Sequence, residues 1–197
     1  MAKASYESNA RLYHDMENHF SVIQSYLADG KIDEAKAYLN RLGKDRAAYC
    51  VERFTGIEAV DYILSQKAEL ARQQNVETSI HAEYPKDCNI DPVDLCTILT
   101  NLLDNAIEAC EKQPKVFNKR LSVTIRRINQ FIIIQVANSC MEEPRIIKGN
   151  LVTSKADRRH HGWGMKNIKS AVEKYNGTME YEYSENVFTV SIMLFYQ

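Results

Sequence analysis

The sequence predicts an α+β protein. A helical hairpin comes first, followed by an α/β sandwich with helices on one face of a mixed sheet. Three observations carry this. Leu12, Met16, Phe20, Ile23 and Leu27 step by four, four, three and four, the seam of a bundle helix. Past residue 120, short β-rich runs such as Phe131-Ile-Ile-Ile-Gln-Val-Ala137 replace helical periodicity. Between the two lies a helix with an Asp91-Pro92 start. The expected division is residues 1–54 for the hairpin and 55–197 for the sandwich.

Residues 5–28 form the first helix, broken at Ala28-Asp29-Gly30-Lys31. Asp33 is expected to cap a second helix, with Ala35, Tyr38, Leu42 and Tyr49 as its apolar stripe. Two such helices bury little surface alone, so the simplest solution is dimerisation into a four-helix bundle. Residues 57–74 read as a helix and 76–82 as a strand. The Asp91-Pro92 helix runs to about Lys112. Residues 121–128 and 131–137 are strands around a tight Asn129-Gln130 turn. Residues 138–161 show no period, as in a functional lid or a disordered stretch. KNIKSAVEKYNG reads as an amphipathic helix stopped at Asn176-Gly177, and strands at 178–183 and 187–195 close the chain.

Composition excludes several classes. A net charge of −1 gives no field to draw the chain to nucleic acid or membrane. No run of about eighteen apolar residues is present, and MAKASYESNA is no signal peptide. Five scattered cysteines without a C-x-x-C spacing suit reduced thiols in the cytoplasm.

Three stretches carry chemistry. In YHDMENHF, His14 and Asn18 are one helical turn apart and turned from the seam, with Asp15 beside the imidazole. An exposed imidazole with a neighbouring carboxylate can act as a nucleophile, although a solvated polar face explains the pattern too. In ILTNLLDNAIEAC, Asn101, Asn105 and Glu108 share one face. A side-chain carbonyl is a hard oxygen ligand suited to magnesium, which keeps its waters and phosphate oxygens. In HHGWGMKNI, Gly162 and Gly164 precede a helix, whose bare N-terminal N–H groups favour an anion. Residues 149–155 are not a P-loop, since the Gly-Lys-Ser/Thr ending is missing.

In this order, His-Asp-x-x-Asn-His, Asn-Leu-Leu-x-Asn-Ala-x-Glu and His-Gly-x-Gly-Met-x-Asn-Ile resemble a sensor histidine kinase core, in particular the quorum-sensing (Agr-type) receptor kinases. The resemblance spans about residues 8–195. It implies a dimerising hairpin followed by an ATP-binding domain of the gyrase, heat-shock chaperone, histidine kinase and MutL (GHKL) class. It implies His14 as phosphoacceptor, Asp15 as proton partner and Asn18 in transfer geometry or phosphatase activity. It makes Asn101, Asn105 and Glu108 part of the ATP site, with Asn105 the Mg²⁺ ligand. Gly162 and Gly164 would lie along the triphosphate, with Lys155 near it. The implied partners are a second copy of the chain and a response regulator. In most such kinases an aspartate of Asp-x-Gly-x-Gly receives the adenine amino group. Here the matching strand end is Val-Ala-Asn138-Ser139-Cys140, so Asn138 is the expected adenine contact, by its carbonyl oxygen. That departure keeps a second reading open, a phosphotransfer or scaffold protein with a degenerate nucleotide fold. A chain- or DNA-moving ATPase fits less well, because no basic groove accompanies His14. The implied location is the cytoplasm, as a free-standing kinase or the inner portion of a membrane-anchored receptor.

Overall fold

The computed structural model describes residues 2–42, 51–85, 87–114, 117–144, 146–147, 150–151 and 163–196. The chain divides into two compact units, Met1–Ala48 and Tyr49–Gln197. The second unit takes in residues 49–54, which the sequence had grouped with the hairpin.

In the first unit, α1 (Ala2–Ala28) and α2 (Ile32–Leu42) are joined by a turn at Gly30, whose φ of 72° suits glycine. Asp33 is not the cap expected of it. The helix begins at Ile32, and the Lys31 carbonyl accepts from the Ala35 N–H, so Asp33 lies inside the first turn. There its charge favours the positive end of the dipole without closing a cap. Within the hairpin His19 Nδ1 and the Tyr38 hydroxyl lie 2.9 Å apart. Met16, Phe20, Leu27, Leu39 and Leu42 stay exposed, Phe20 at 58%.

The second unit orders α3 (Glu58–Gln73), β1 (Glu77–Ala82), α4 (Pro92–Glu111), β2 (Arg120–Ile128) and β3 (Phe131–Ser139). The short strands β4 (Ile146–Ile147) and β5 (Asn150–Leu151), α5 (Trp163–Glu173), β6 (Thr178–Ser184) and β7 (Val187–Phe195) complete it. The sheet runs β1-β2-β3-β7-β6, with β1 and β2 parallel and the other pairs antiparallel; β4 and β5 pair only with each other. This is the mixed sheet the strand pattern predicted. One face packs on α3, α4 and α5. Alternation along β2 and β3 puts Leu121, Val123, Ile125, Ile132, Ile134 and Val136 in the core, against Leu64, Leu95, Ile98, Leu99, Leu103 and Ile168 from the helices.

Three polar devices hold this arrangement. Asp91 caps α4, accepting from the Val93 N–H at 2.8 Å ahead of Pro92. Asp61, only 2% exposed on α3, accepts from the Thr55 N–H and hydroxyl and from the Gly56 N–H. This fixes the segment leading into the second unit. Asp94 on α4 joins the end of α5. Lys174 Nζ donates to its Oδ1 at 2.7 Å, the Tyr175 hydroxyl donates to its Oδ2 at 2.8 Å, and that hydroxyl accepts from the Asp91 N–H at 2.9 Å.

Burial pushes the Asp94 carboxyl up. The hydrogen bonds from Lys174 and Tyr175 and the lysine charge outweigh it, so the net shift is downward. A carboxylate lowered in the folded state stabilises fully above the ordinary aspartate value of about 4, and loses that contribution as pH falls through the folded value. Asp94→Asn should therefore destabilise by about 1–2 kcal/mol at neutral pH. In urea melts the gap to wild type should narrow as pH falls below the ordinary aspartate value, and a gap independent of pH would refute the assignment.

The chain leaves α5 at Asn176, with φ 45°, and Gly177, whose N–H donates to the Val172 carbonyl at 3.1 Å. A Cβ on Gly177 would lie 2.4 Å from the Met193 carbonyl oxygen and 2.8 Å from Val172 Cγ1.

Candidate functional site

The site candidates fall on both units. On α1, His14, Asp15 and Asn18 are exposed, as the seam geometry predicts. His14 Nδ1 lies 3.2 Å from Asn18 Nδ2 and 3.9 Å from Asp15 Oδ1. The imidazole thus has an amide one turn along the helix and a carboxylate beside it, all open to solvent. A carboxylate here can take a ring proton while the other nitrogen meets an electrophile.

The second group is built on α4 and α5. α4 buries a wide arc, including Leu95, Ile98, Leu99, Leu102, Leu103 and Ala106. Asn101 and Glu108 are half-buried and Asn105 exposed along its remaining side. Asn101 Nδ2 donates to the Thr97 carbonyl one turn back, at 2.7 Å. Its Oδ1 then stands where a side chain on Gly164 would be, 2.8 Å from the position of a Cβ there. Glycine at 164 is therefore what lets the first turn of α5 close onto Asn101. Asn105 Nδ2 donates to Met165 Sδ at 3.5 Å. Glu108 pairs with Lys112 at 3.1 Å. On the α3 side, Lys67 Nζ donates to Asp104 at 2.5 Å.

So the structure brings Asn101, Asn105 and Gly164 together, and adds Met165, which the sequence had offered only as part of the glycine stretch. The helix also starts earlier than its apolar periodicity suggests. Trp163 is its first residue, and Gly164 lies inside it. Lys155 and Gly162 lie outside the described residues.

Asn138 sits in β3 between Leu121 and Phe188, on the face that packs on the helices, and is 4% exposed. Its Nδ2 donates to the Ser139 carbonyl at 3.0 Å. Ser139 is itself fixed, its hydroxyl donating to the Asn118 carbonyl and accepting from the Arg120 N–H. The NH₂ end of the Asn138 amide is thus turned to the chain, and the oxygen is its accepting end.

The donor set fits a hard cation in one respect. Asn105 offers an amide oxygen from an exposed, anchored position, which is chemistry suited to magnesium. Among the described residues no cluster of three or more His, Cys, Asp or Glu is placed to hold a metal. Burial pushes the thiols of Cys96, Cys110 and Cys140 up, so they stay protonated. Among the described residues no helix is long and apolar enough to cross a membrane.

The sequence model of one protein family, described as the GHKL domain, matches residues 90–195. A curated relative, the sensor protein CitS of Halalkalibacterium halodurans, is 23% identical over 184 residues, covering 87% of this chain and 33% of that protein. The chain thus spans about a third of that relative's length. Among solved structures, the catalytic domain of histidine kinase ThkA aligns with a TM-score of 0.56 at 21% identity, over 72% of this chain and 93% of that one. The histidine kinase AdeS of Acinetobacter baumannii aligns with a TM-score of 0.51 at 16% identity, over 92% and 97%. At these identities the likeness is one of fold.

Proposed function

We propose that this chain, which belongs to the GHKL domain family through residues 90–195, is the core of a two-component sensor histidine kinase of the Agr-type group. In this reading the second unit binds ATP, His14 takes the γ-phosphoryl group, and a response regulator aspartate receives it. The observation that carries the reading is the Asn101–Gly164 interlock with Asn105 alongside. An asparagine pair on one helix and the first turn of another are held against each other, where a phosphate chain needs both an oxygen ligand and backbone donors.

Phosphoryl transfer asks mainly for positioning and charge neutralisation. Asn105 would hold magnesium, which supplies neutralisation of the phosphate charge when bound. Backbone N–H groups at the start of α5, with Gly162 and Lys155 from the preceding stretch, would hold the triphosphate. Asn138 accepts from the adenine amino group, its own donor being engaged on Ser139. Asn101 and Glu108 complete the α4 side.

At the acceptor, His14 Nε2 attacks the γ-phosphorus. The bond from that phosphorus to the β–γ bridging oxygen breaks, and ADP leaves with the electron pair. Asp15 accepts the Nδ1 proton. For this, the ring must exchange its Asn18 contact at 3.2 Å for Asp15, now 3.9 Å away. Asn18 then contacts the phosphoryl oxygens.

The exposed apolar stripe of Met16, Phe20, Leu27, Leu39 and Leu42 supports a homodimeric four-helix bundle. The fit is to a cytoplasmic segment, free-standing or part of a membrane-anchored receptor. Asn138 in place of aspartate favours one alternative, a phosphotransfer or scaffold protein that never draws on ATP.

The test is incubation with magnesium and γ-labelled ATP, scoring acid-labile, base-stable label. Label on the wild-type chain is the expected result. A folded chain that stays unlabelled, yet takes phosphate from a phosphorylated receiver domain, would select the alternative.

A further inference from the structure

The Asn105 amide has two chemically opposite ends, and what its nitrogen touches decides what its oxygen can reach. Asn105 Nδ2 lies 3.5 Å from Met165 Sδ. A thioether sulfur accepts weakly and donates nothing, so this contact selects the nitrogen for the α5 side and turns the oxygen away from it. Resting on the kinase reading above, we propose that Met165 is a positioning residue for the cation. Its sulfur orients Asn105 so that the amide oxygen, not the NH₂, faces phosphate-bound magnesium.

The surroundings make this a built arrangement. Gly164 has no side chain, so the first turn of α5 closes on Asn101, whose amide is anchored to Thr97. Ile168, one turn on, is fully buried and holds the helix in the core. Lys67 pins Asp104, the neighbour of Asn105, from α3. The backbones at 105 and 165 are thereby held, and Met165 is half-buried. The flexible thioether then spans what remains of the gap. A leucine at 165 would fill similar volume without an acceptor. The amide would then sample both orientations and present NH₂ to the cation part of the time. Groups that orient a metal ligand from outside its shell commonly matter this way.

Met165→Leu and Met165→Gln are to be compared with wild type in the full chain by three measurements. The first is the side-chain amide resonances of Asn105 without nucleotide. The second is the magnesium concentration giving half of the maximal binding of a non-hydrolysable ATP analogue. The third is the thermal midpoint. Met165→Leu should shift the Asn105 resonances and raise the magnesium midpoint roughly 10-fold, the low end for outer-shell partners. Met165→Gln restores an acceptor but adds an NH₂ that the Asn105 oxygen can take, so its magnesium midpoint should fall between the wild-type and leucine values. The thermal midpoints should stay close together.

Unshifted Asn105 resonances in Met165→Leu would overturn the proposal whether or not nucleotide binds. So would shifted resonances with an unchanged magnesium midpoint, or a leucine variant less impaired than the glutamine one. A wild-type chain with no magnesium-dependent binding would fail the kinase reading, and the proposal with it. The amide resonances would still report the sulfur contact separately.

Discussion

His14→Gln should bring phosphorylation from ATP to background, a loss of at least roughly 10³-fold as expected for removal of a nucleophile. Glutamine approximates the reach and polarity of histidine, but its amide nitrogen has no lone pair free to attack phosphorus. Nothing in the fold should suffer. The side chain of His14 is 71% exposed, and its polar neighbours are Asn18 and Asp15 on the same helix. Exposed helix-face substitutions of this kind change stability by only about 0.5 kcal/mol. On the proposed reading nucleotide binding belongs to the other unit and should match wild type by calorimetry. Label surviving in the glutamine variant would move the acceptor elsewhere. Lost nucleotide binding in a folded variant would refute the division of labour between the units.

The second large effect concerns stability alone. Gly177→Ala should lower the stability of the second unit by about 3 kcal/mol, the upper end for overpacking. That corresponds to roughly 10 °C in the thermal midpoint for a unit of this size. The added Cβ would lie 2.4 Å from the Met193 carbonyl oxygen, and that residue belongs to the β6–β7 ladder, so it cannot withdraw without breaking strand pairing. Gly56 is the informative control. Its φ is +81°, but no atom lies within 4 Å of a Cβ there, so Gly56→Ala pays only the backbone strain of about 1 kcal/mol. Gly177 has no positive φ, so a loss there no larger than at Gly56 would show that Met193 and Val172 give way and that space does not set the cost.

Much of the second unit could be read from local chemistry. The Asp91-Pro92 start of α4 is written in two adjacent residues, and the cap is found there. The β2–β3 hairpin turns where Asn129 takes a positive φ of 54°, at the expected place. Strands with alternating burial declared themselves because alternation is a property of the sequence alone. What could not be read depends on partners far along the chain. The Asp94–Tyr175 bond joins residues 81 apart, and neither residue type signals it. α5 starts at Trp163, and the close approach of its Gly164 to Asn101 joins positions far apart in the chain. β3 runs on to Ser139 because Asn138 is pinned inside the sheet, which no periodicity records. Asp33 looked like a cap because aspartate favours that role, yet the turn at Gly30 had already placed the helix start. Of the site, the asparagine pair and the exposed His14 face were visible as spacings. The sulfur on Asn105 lies inside the glycine stretch, but a methionine there does not announce an acceptor for an amide 60 residues away.

The tight seat of Gly177 also governs how the protein ages. Asparagine followed by glycine is the dipeptide most prone to deamidation, because the glycine nitrogen can close a five-membered imide on the asparagine side chain. Here that N–H donates to the Val172 carbonyl at 3.1 Å, a bond that must break before the nitrogen can attack. In the folded protein Asn176 is therefore shielded from a reaction its sequence invites. Isoaspartate should accumulate there only through molecules in which the end of α5 has opened. Its rate of appearance in storage becomes a chemical clock for that opening, readable by mass spectrometry without any denaturant.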